Sequence, residues 1–224
     1  MSTPLSTFAD KFLPPASEID LIIFDLGGVL LDIDYALTQE AFANLGIPDI
    51  GSLYSKAAQS DIFDRLETGA ISPEEFREAI RDLVGKDLPD DSIDDAWNAL
   101  IQRMPLHRLE RVVELRTSHR TCLLSNTNNI HIPSFEGLIE TQGMMEVYIQ
   151  AFEQIFYSSK IGMRKPDPGA FNHVLDTMNV MPEKALFFDD SIQHIQAASK
   201  LGIQSYHLEV GSEDISDIIA RFLD

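Results

Sequence analysis

Apolar, β-rich runs of about four to six residues recur at five places along the chain: "DLIIFD" (20–25), "RTCLLS" (120–125), "QIFYS" (154–158), "KALFFDD" (184–190) and "IQSYHL" (203–208). Runs of this kind belong to strands buried on both faces, as in a parallel sheet covered by helices. The segments between them carry a helical period instead. In "DPGAFNHVLDTMN" (167–179), Phe171, Val174, Leu175 and Met178 share one stripe, and Pro168 suits a first helical turn. "SIQHIQAASKLG" reads as a short helix stopped by Gly202. The pattern predicts an α/β fold with a doubly wound, Rossmann-like parallel sheet.

The interval between the first two runs breaks the alternation. From residue 35 to about 105 there is no strand pattern but several helix signals. "SPEE" at 72–75 is a capping box, with Ser72 as N-cap, Pro73 in the first helical position and Glu75 reaching back. Phe76, Ala79, Ile80 and Leu83 follow on one face. "SIDDAWNALIQRM", from Ser92, puts Trp97, Leu100, Ile101 and Met104 on another. A helical insertion is therefore expected over 35–105, with 17–34 and 106–224 forming the α/β core. It attaches at the carboxyl end of the first strand, where open α/β sheets bind ligands, and so has the position of a cap. The N-terminal dozen residues, before Pro14 and Pro15, are expected to be loose.

The bulk properties narrow the function. With 224 residues and 44% hydrophobic content the chain is a globular protein with room for one substantial core plus an insertion. No apolar run approaches a membrane span, and the first residues lack the succession of a signal peptide. The lone cysteine, Cys122, excludes an internal disulfide, fits a buried core position and points to a reducing cytoplasm. A net charge of −19 argues against a nucleic-acid partner, because phosphate backbones call for clustered lysine and arginine. An anionic small molecule would need local positive charge or a metal to bind.

Such charge is available at one place. Asp25 ends the first run, Ser125 and Asn126 the second, Lys165 follows the third, and Asp189 and Asp190 close the fourth. In a parallel sheet these positions lie at the same edge. Together they meet the needs of phosphoryl transfer: a carboxylate nucleophile, positive charge for the non-bridging oxygens, and hydrogen-bond donors. Mg²⁺, which favours oxygen ligands, would be held by Asp25 and Asp190, with Asp189 beside them. Gly27 and Gly28 would let the backbone turn sharply and approach the ligand.

"FDLGGVLLD", "LLSN", "KPDP" and "FFDDS", in this order and spacing, resemble the four motifs of the haloacid dehalogenase superfamily, and the insertion resembles its helical type-one cap. The resemblance spans residues 19 to 208. It implies a hydrolase of phosphomonoesters using Mg²⁺ and a covalent aspartyl phosphate. Asp25 would be the nucleophile, Ser125 the phosphate-binding hydroxyl and Lys165 the charge stabiliser; Asp25, the Gly27 carbonyl, Asp189 and Asp190 would hold the metal. The substrate phosphate would meet Gly27, Gly28, Ser125, Asn126, Arg164 and Lys165. One position departs from the pattern. Superfamily phosphatases usually carry a second aspartate, the general acid, where this chain has Gly27; such help is worth on the order of 10²–10⁴ in rate. The DxG motif also resembles the branch containing sugar-1-phosphate phosphatases, where its loss is tolerated.

For several residues a structural role stands beside the chemical one. Asp32 and Asp34 could relay a proton through water, but a brace for the turn and a helix cap explain them as well. Arg164 is a phosphate contact or a surface arginine, His194 a neighbour of the metal ligands or a partly exposed helical histidine. Trp97 and Phe76 read as cap core, and Arg65 and Glu67 as substrate contacts or a solvated helix face. Three functions compete: a sugar-phosphate-type phosphatase, a metal-free dehalogenase, and a low-turnover phosphoester-binding or regulatory protein. The paired acids at 189 and 190 disfavour the dehalogenase, because they suit a cation rather than a halide.

Overall fold

In the computed structural model, residues 11–47 and 61–223 are described below. The five apolar runs form the strands β1 (Leu21–Phe24), β2 (Arg120–Ser125), β3 (Gln154–Tyr157), β4 (Ala185–Asp189) and β5 (Gln204–His207). They pair in the order β3-β2-β1-β4-β5, all parallel. The chain winds outward in one direction from β1 through β2 to β3, then returns to the other side of β1 for β4 and β5. The reversal lies between β1 and β4, where doubly wound sheets open a crevice at the carboxyl ends of the strands.

Strand alternation divides the core in two. Ile22, Phe24, Leu123, Leu186 and Phe188 face one apolar layer, and Leu21, Ile23, Cys122, Leu124 and Phe187 the other. The first layer is covered by α5 (Leu106–Leu115), α6 (His131–Thr141), α7 (Met145–Gln150) and α11 (Ile215–Leu223). The second is covered by α9 (Pro168–Met178) and α10 (Ile192–Lys200), through Phe171, Val174, Leu175, Ile195 and Ala198. A short α8 (Ser158–Ile161) follows β3. Helix α9 starts where its sequence indicates, with Asp167 accepting from Gly169 N at 2.7 Å. Each fully buried Leu, Ile or Phe contributes roughly 1.5–3 kcal/mol, so the two-sided sheet accounts for much of the stability.

Between β1 and β2 lie α1 (Tyr35–Asn44), α2 (Ile62–Glu67), α3 (Pro73–Val84) and α4 (Asp90–Asn98). They pack round an apolar cluster of their own, including Phe42, Leu66, Phe76, Ile80, Ile93 and Trp97, to which the rest of the chain adds Ile130. The capping box forms, with Glu75 N 3.2 Å from Ser72 Oγ and Ser72 N 2.7 Å from Glu75 Oε2. Helix α4 departs from expectation: it begins at Asp90 and ends at Asn98, so Leu100, Ile101 and Met104 lie beyond it. The two segments joining this layer to the sheet pair with each other there. Asp34 N bonds Leu100 O at 2.8 Å, Gln102 N bonds Asp32 O at 3.0 Å, and Asp32 N bonds Arg103 O at 2.9 Å. These long-range hydrogen bonds replace those a further helical turn would make, and Met104 joins the sheet core instead. No helix among the described residues is long and apolar enough to cross a membrane. The N-terminal stretch expected to be loose falls largely outside the described residues.

Candidate active site

The register of the sheet brings the strand-end residues together. Asp25 N donates to Phe188 O at 2.9 Å, which sets its side chain beside the end of β4. Lys165, from the loop before α9, is fully buried; its Nζ lies 2.7 Å from Asp25 Oδ1 and 2.8 Å from Asp189 Oδ2, and 5.3 Å from the centre of the Phe187 ring. Asp189 is enclosed further. Its Oδ1 accepts from Ser191 N at 2.7 Å, and both its oxygens lie 3.0 Å from His194 Nδ1. The loop after β2 is tied to Lys165 through the backbone: Asn126 Nδ2 donates to Lys165 O at 2.8 Å, and Lys165 N to Asn126 Oδ1 at 2.9 Å.

Gly28 has φ +76, and a Cβ there would overlap Asp190 Oδ2, so this carboxylate sits directly against the glycine turn. Gly27 is not in the left-handed region; a Cβ would approach Ile33 Cδ1 to 3.1 Å. A side chain at position 27 would therefore require Ile33 to give by a few tenths of an ångström.

The electrostatics follow from burial with too few cations. Removal from water pushes the Asp25 carboxyl up to about 7, against the lowering pull of Lys165 and with the help of Asp189. Burial, then Asp189, also raises Asp190. For Asp189 burial acts the same way, but Lys165 and His194 outweigh it and hold the group below the ordinary carboxylate range. Lys165 is raised, its two carboxylate partners prevailing over desolvation. Three carboxylates against one lysine leave two negative charges when all are ionised, which is the charge of one divalent cation. The donor set therefore fits magnesium. Asp25, Asp189 and His194 place ligand atoms within 4.8 Å of one another, but the oxygens of Asp189 already accept from Lys165, Ser191 and His194. Asp25, Asp190 and Gly27 line the same cavity, and carboxylate and carbonyl oxygens are the donor types a hard cation prefers.

These groups lie in a cavity of about 490 Å³, lined by Asp25, Gly27, Ser125, Asn126 and Asp190 at one side and by Ile33, Phe63, Trp97, Leu100 and Ile101 at the other. A separate cleft of about 520 Å³ is lined by Arg103, Arg108 and Asp214, but its arginines are paired with Asp32 and Asp214 and offer no free charge.

The remaining sequence candidates divide cleanly. Asp34 caps α1 by accepting from Ala36 N at 2.9 Å, and Asp32 braces its turn against Arg103 and Arg108. Phe76 lies in the cap core; Trp97 does so while also lining the cavity. Arg164 lines the cavity too, with its guanidinium paired to Asp64 and, at 2.8 Å, to Glu67 of α2. Burial raises the Glu67 carboxyl, against the pull of Arg164. Arg65 is not among the lining residues. His194 is both things its position suggested, a partly exposed helical histidine and a neighbour of Asp189, on which its Nδ1 closes. His131 was missed altogether; it lines the cavity six residues after Ser125, and that closeness to a strand-end residue was its one signal.

Comparison with known proteins agrees with this geometry. Over 192 residues the chain is 32% identical to a D-ribitol-5-phosphate phosphatase of Bacteroides thetaiotaomicron, covering 86% of this chain and 93% of the relative. A structure of a HAD family enzyme from the same organism, in complex with magnesium and inorganic phosphate, superposes with a TM-score of 0.77 at 33% identity, over 89% of this chain and 98% of that one. A HAD-like family hydrolase of Porphyromonas gingivalis gives 0.82 at 28% identity, over 92% and 98%. Residues 19–202 match the description of haloacid dehalogenase-like hydrolases. That match spans most of the sequence and all four strand-end motifs, and the chain belongs to the haloacid dehalogenase-like hydrolase family.

Proposed function

We propose that this chain is a Mg²⁺-dependent phosphatase of small-metabolite phosphomonoesters, sugar phosphates above all, acting through an aspartyl phosphate on Asp25. Residues 17–34 and 106–224 form its catalytic core and 35–105 its cap, a division supported by the separate apolar cluster of the inserted helices. The convergence of Asp25, Lys165 and Asp190 beside Ser125, at the reversal point of the sheet, carries the reading. Relatives named as phosphatases and a neighbour holding magnesium and phosphate support it.

Asp25, Asp190 and the Gly27 carbonyl would hold the metal, which when bound would supply positive charge against the phosphate oxygens. Asp25 attacks phosphorus through one carboxylate oxygen while the bond from phosphorus to the leaving oxygen breaks. Ser125 donates to a non-bridging oxygen, and Lys165 supplies fixed positive charge. Asp189 serves by holding Lys165 in place. Water then attacks the phosphorus of the acyl phosphate, freeing phosphate and restoring the carboxylate. Gly27 brings no proton donor, so the leaving alkoxide takes its proton from water. The substrate is a small phosphate ester, and the compartment is a reducing cytoplasm, as the free, buried Cys122 suggests.

The test is phosphate release from sugar phosphates and an aryl phosphate, with Mg²⁺ and with EDTA, for the wild type and Asp25→Asn. Hydrolysis that requires both metal and Asp25, with the variant still folded, is expected. Retained activity in Asp25→Asn removes the nucleophile assignment; no turnover of any ester favours a phosphoester-binding protein.

A further inference from the structure

One polar atom of the cavity wall, the Nε2 of His131, is used neither by the phosphate chemistry nor by a hydrogen bond among the described residues. His131 opens α6, on the loop that begins at Ser125, and that loop is rigid. Asn128 Oδ1 accepts from Ile130 N and His131 N at 3.0 Å each, and Ser158 Oγ both donates to Thr127 O and accepts from Thr127 N at 2.9 Å. The imidazole plane is set by stacking: its centre lies 5.2 Å from the Trp97 ring at 12°, and Trp97 stacks in turn on Phe63 at 5.1 Å and 6°. The column runs from the cap helices α2 and α4 to the core helix α6.

Rotation within that plane is set by a hydrogen bond. His131 Nδ1 lies 2.8 Å from Asn98 Oδ1, an oxygen that can only accept, so Nδ1 carries the proton. Burial lowers the group to about 3, so at neutral pH the ring is uncharged and Nε2 presents a lone pair. Among the described residues Nε2 has no hydrogen-bond partner. Although its surroundings are deep, the residue keeps accessible surface, and it is part of the cavity wall. An acceptor held so firmly, beside aromatic and aliphatic walls, suits a hydroxyl on the part of the substrate beyond the phosphate.

We propose that His131 Nε2 accepts a hydrogen bond from a hydroxyl of the leaving group and thereby selects phosphate esters of polyols and sugars over esters of bare hydrocarbon alcohols. This rests on the phosphatase reading and adds to it a substrate-contact residue. A site built to pair with a hydroxyl discriminates against analogues lacking it, because its own polar group is then left buried and unpaired.

The experiment measures kcat/KM for ribitol 5-phosphate and for n-pentyl phosphate, an alkyl ester of the same chain length with no free hydroxyl, in the presence of Mg²⁺. The ratio of the two is followed in wild type, His131→Phe and His131→Gln. Phenylalanine keeps the stack on Trp97 but removes the acceptor, and the ratio is expected to fall about tenfold or more, mainly through KM. Glutamine can return an oxygen near the position of Nε2 and should recover much of the ratio. Asn98→Leu, which frees Nδ1 without altering the ring, should lower the ratio by less, and serves if His131→Phe does not fold. Equal losses on both esters would show a purely structural role, and an unchanged ratio would show no contact; either overturns the inference. A wild type that hydrolyses n-pentyl phosphate without preferring the polyol ester also overturns it but leaves the phosphatase standing. Hydrolysis of neither ester overturns both.

Discussion

Two clusters in this protein are built alike, one cation between two aspartates, and behave differently. At the strand ends Lys165 bridges Asp25 and Asp189 at 2.7 and 2.8 Å; at the base of the cap connection Arg108 bridges Asp32 and Asp214 at 2.8 and 2.9 Å. Their surroundings separate them. The Lys165 and Asp189 side chains have no exposure and Asp25 has 11%, whereas Arg108, Asp32 and Asp214 retain 13%, 31% and 27%. In the first cluster desolvation dominates and raises Asp25. In the second it is outweighed: hydrogen bonds from Arg103 and Arg108 hold Asp32 below the ordinary range, and those from Ser216 and Arg108 hold Asp214 there. Guanidinium also has more donors to share than ammonium has. The same pairing thus gives a satisfied brace where water remains and a charge-deficient site where it does not.

The comparison breaks most visibly at the cations. Lys165→Met leaves Asp189 buried without its main counter-charge and should cost about 3–5 kcal/mol in denaturant unfolding with EDTA present, besides abolishing turnover. Arg108→Met leaves carboxylates that keep water and other donors, and should cost about 1–2 kcal/mol with phosphatase activity preserved in kind. Equal losses in the two variants would dissolve the distinction drawn here. A finer probe is pH. Asp214 is depressed in the folded state, so its contribution is present above the unfolded value near 4 and is lost as pH falls toward the folded one. Asp214→Asn should therefore be about 1 kcal/mol less stable than wild type at pH 7, allowing for screening, with the gap closing below about pH 4 in urea titrations. The smallest effect belongs to Arg103→Ala, whose side chain is 74% exposed; its urea unfolding midpoint should be indistinguishable from that of the wild type.

Much of this was legible before any coordinates. The five apolar runs became the five strands, and the polar residues that follow the first four reached one edge, because all five strands run parallel. The capping box formed as written, because its hydrogen bonds are local. The end of α4 was misread, since Leu100 and Ile101 keep the helical period while their backbone pairs with residues 32–34. His131 was missed, and the partner of His194 left open, for a related reason: both belong to helices whose pattern is unremarkable, and their partners, Asn98 and Asp189, come from the cap and from the end of a strand.

The sequence by itself determined the sheet, the insertion after β1 and the residue types available for phosphoryl transfer, all of which depend on local periodicity or chain order. Only the tertiary structure decided how they are used: that Asp189 turns inward to Lys165 while Asp190 rests on Gly28, that Arg164 reaches the cap acids, and that His131 keeps a free acceptor in the cavity. Hydrogen bonds and desolvation act over a few ångströms of space, and the groups they join here are separated by up to a hundred positions of chain.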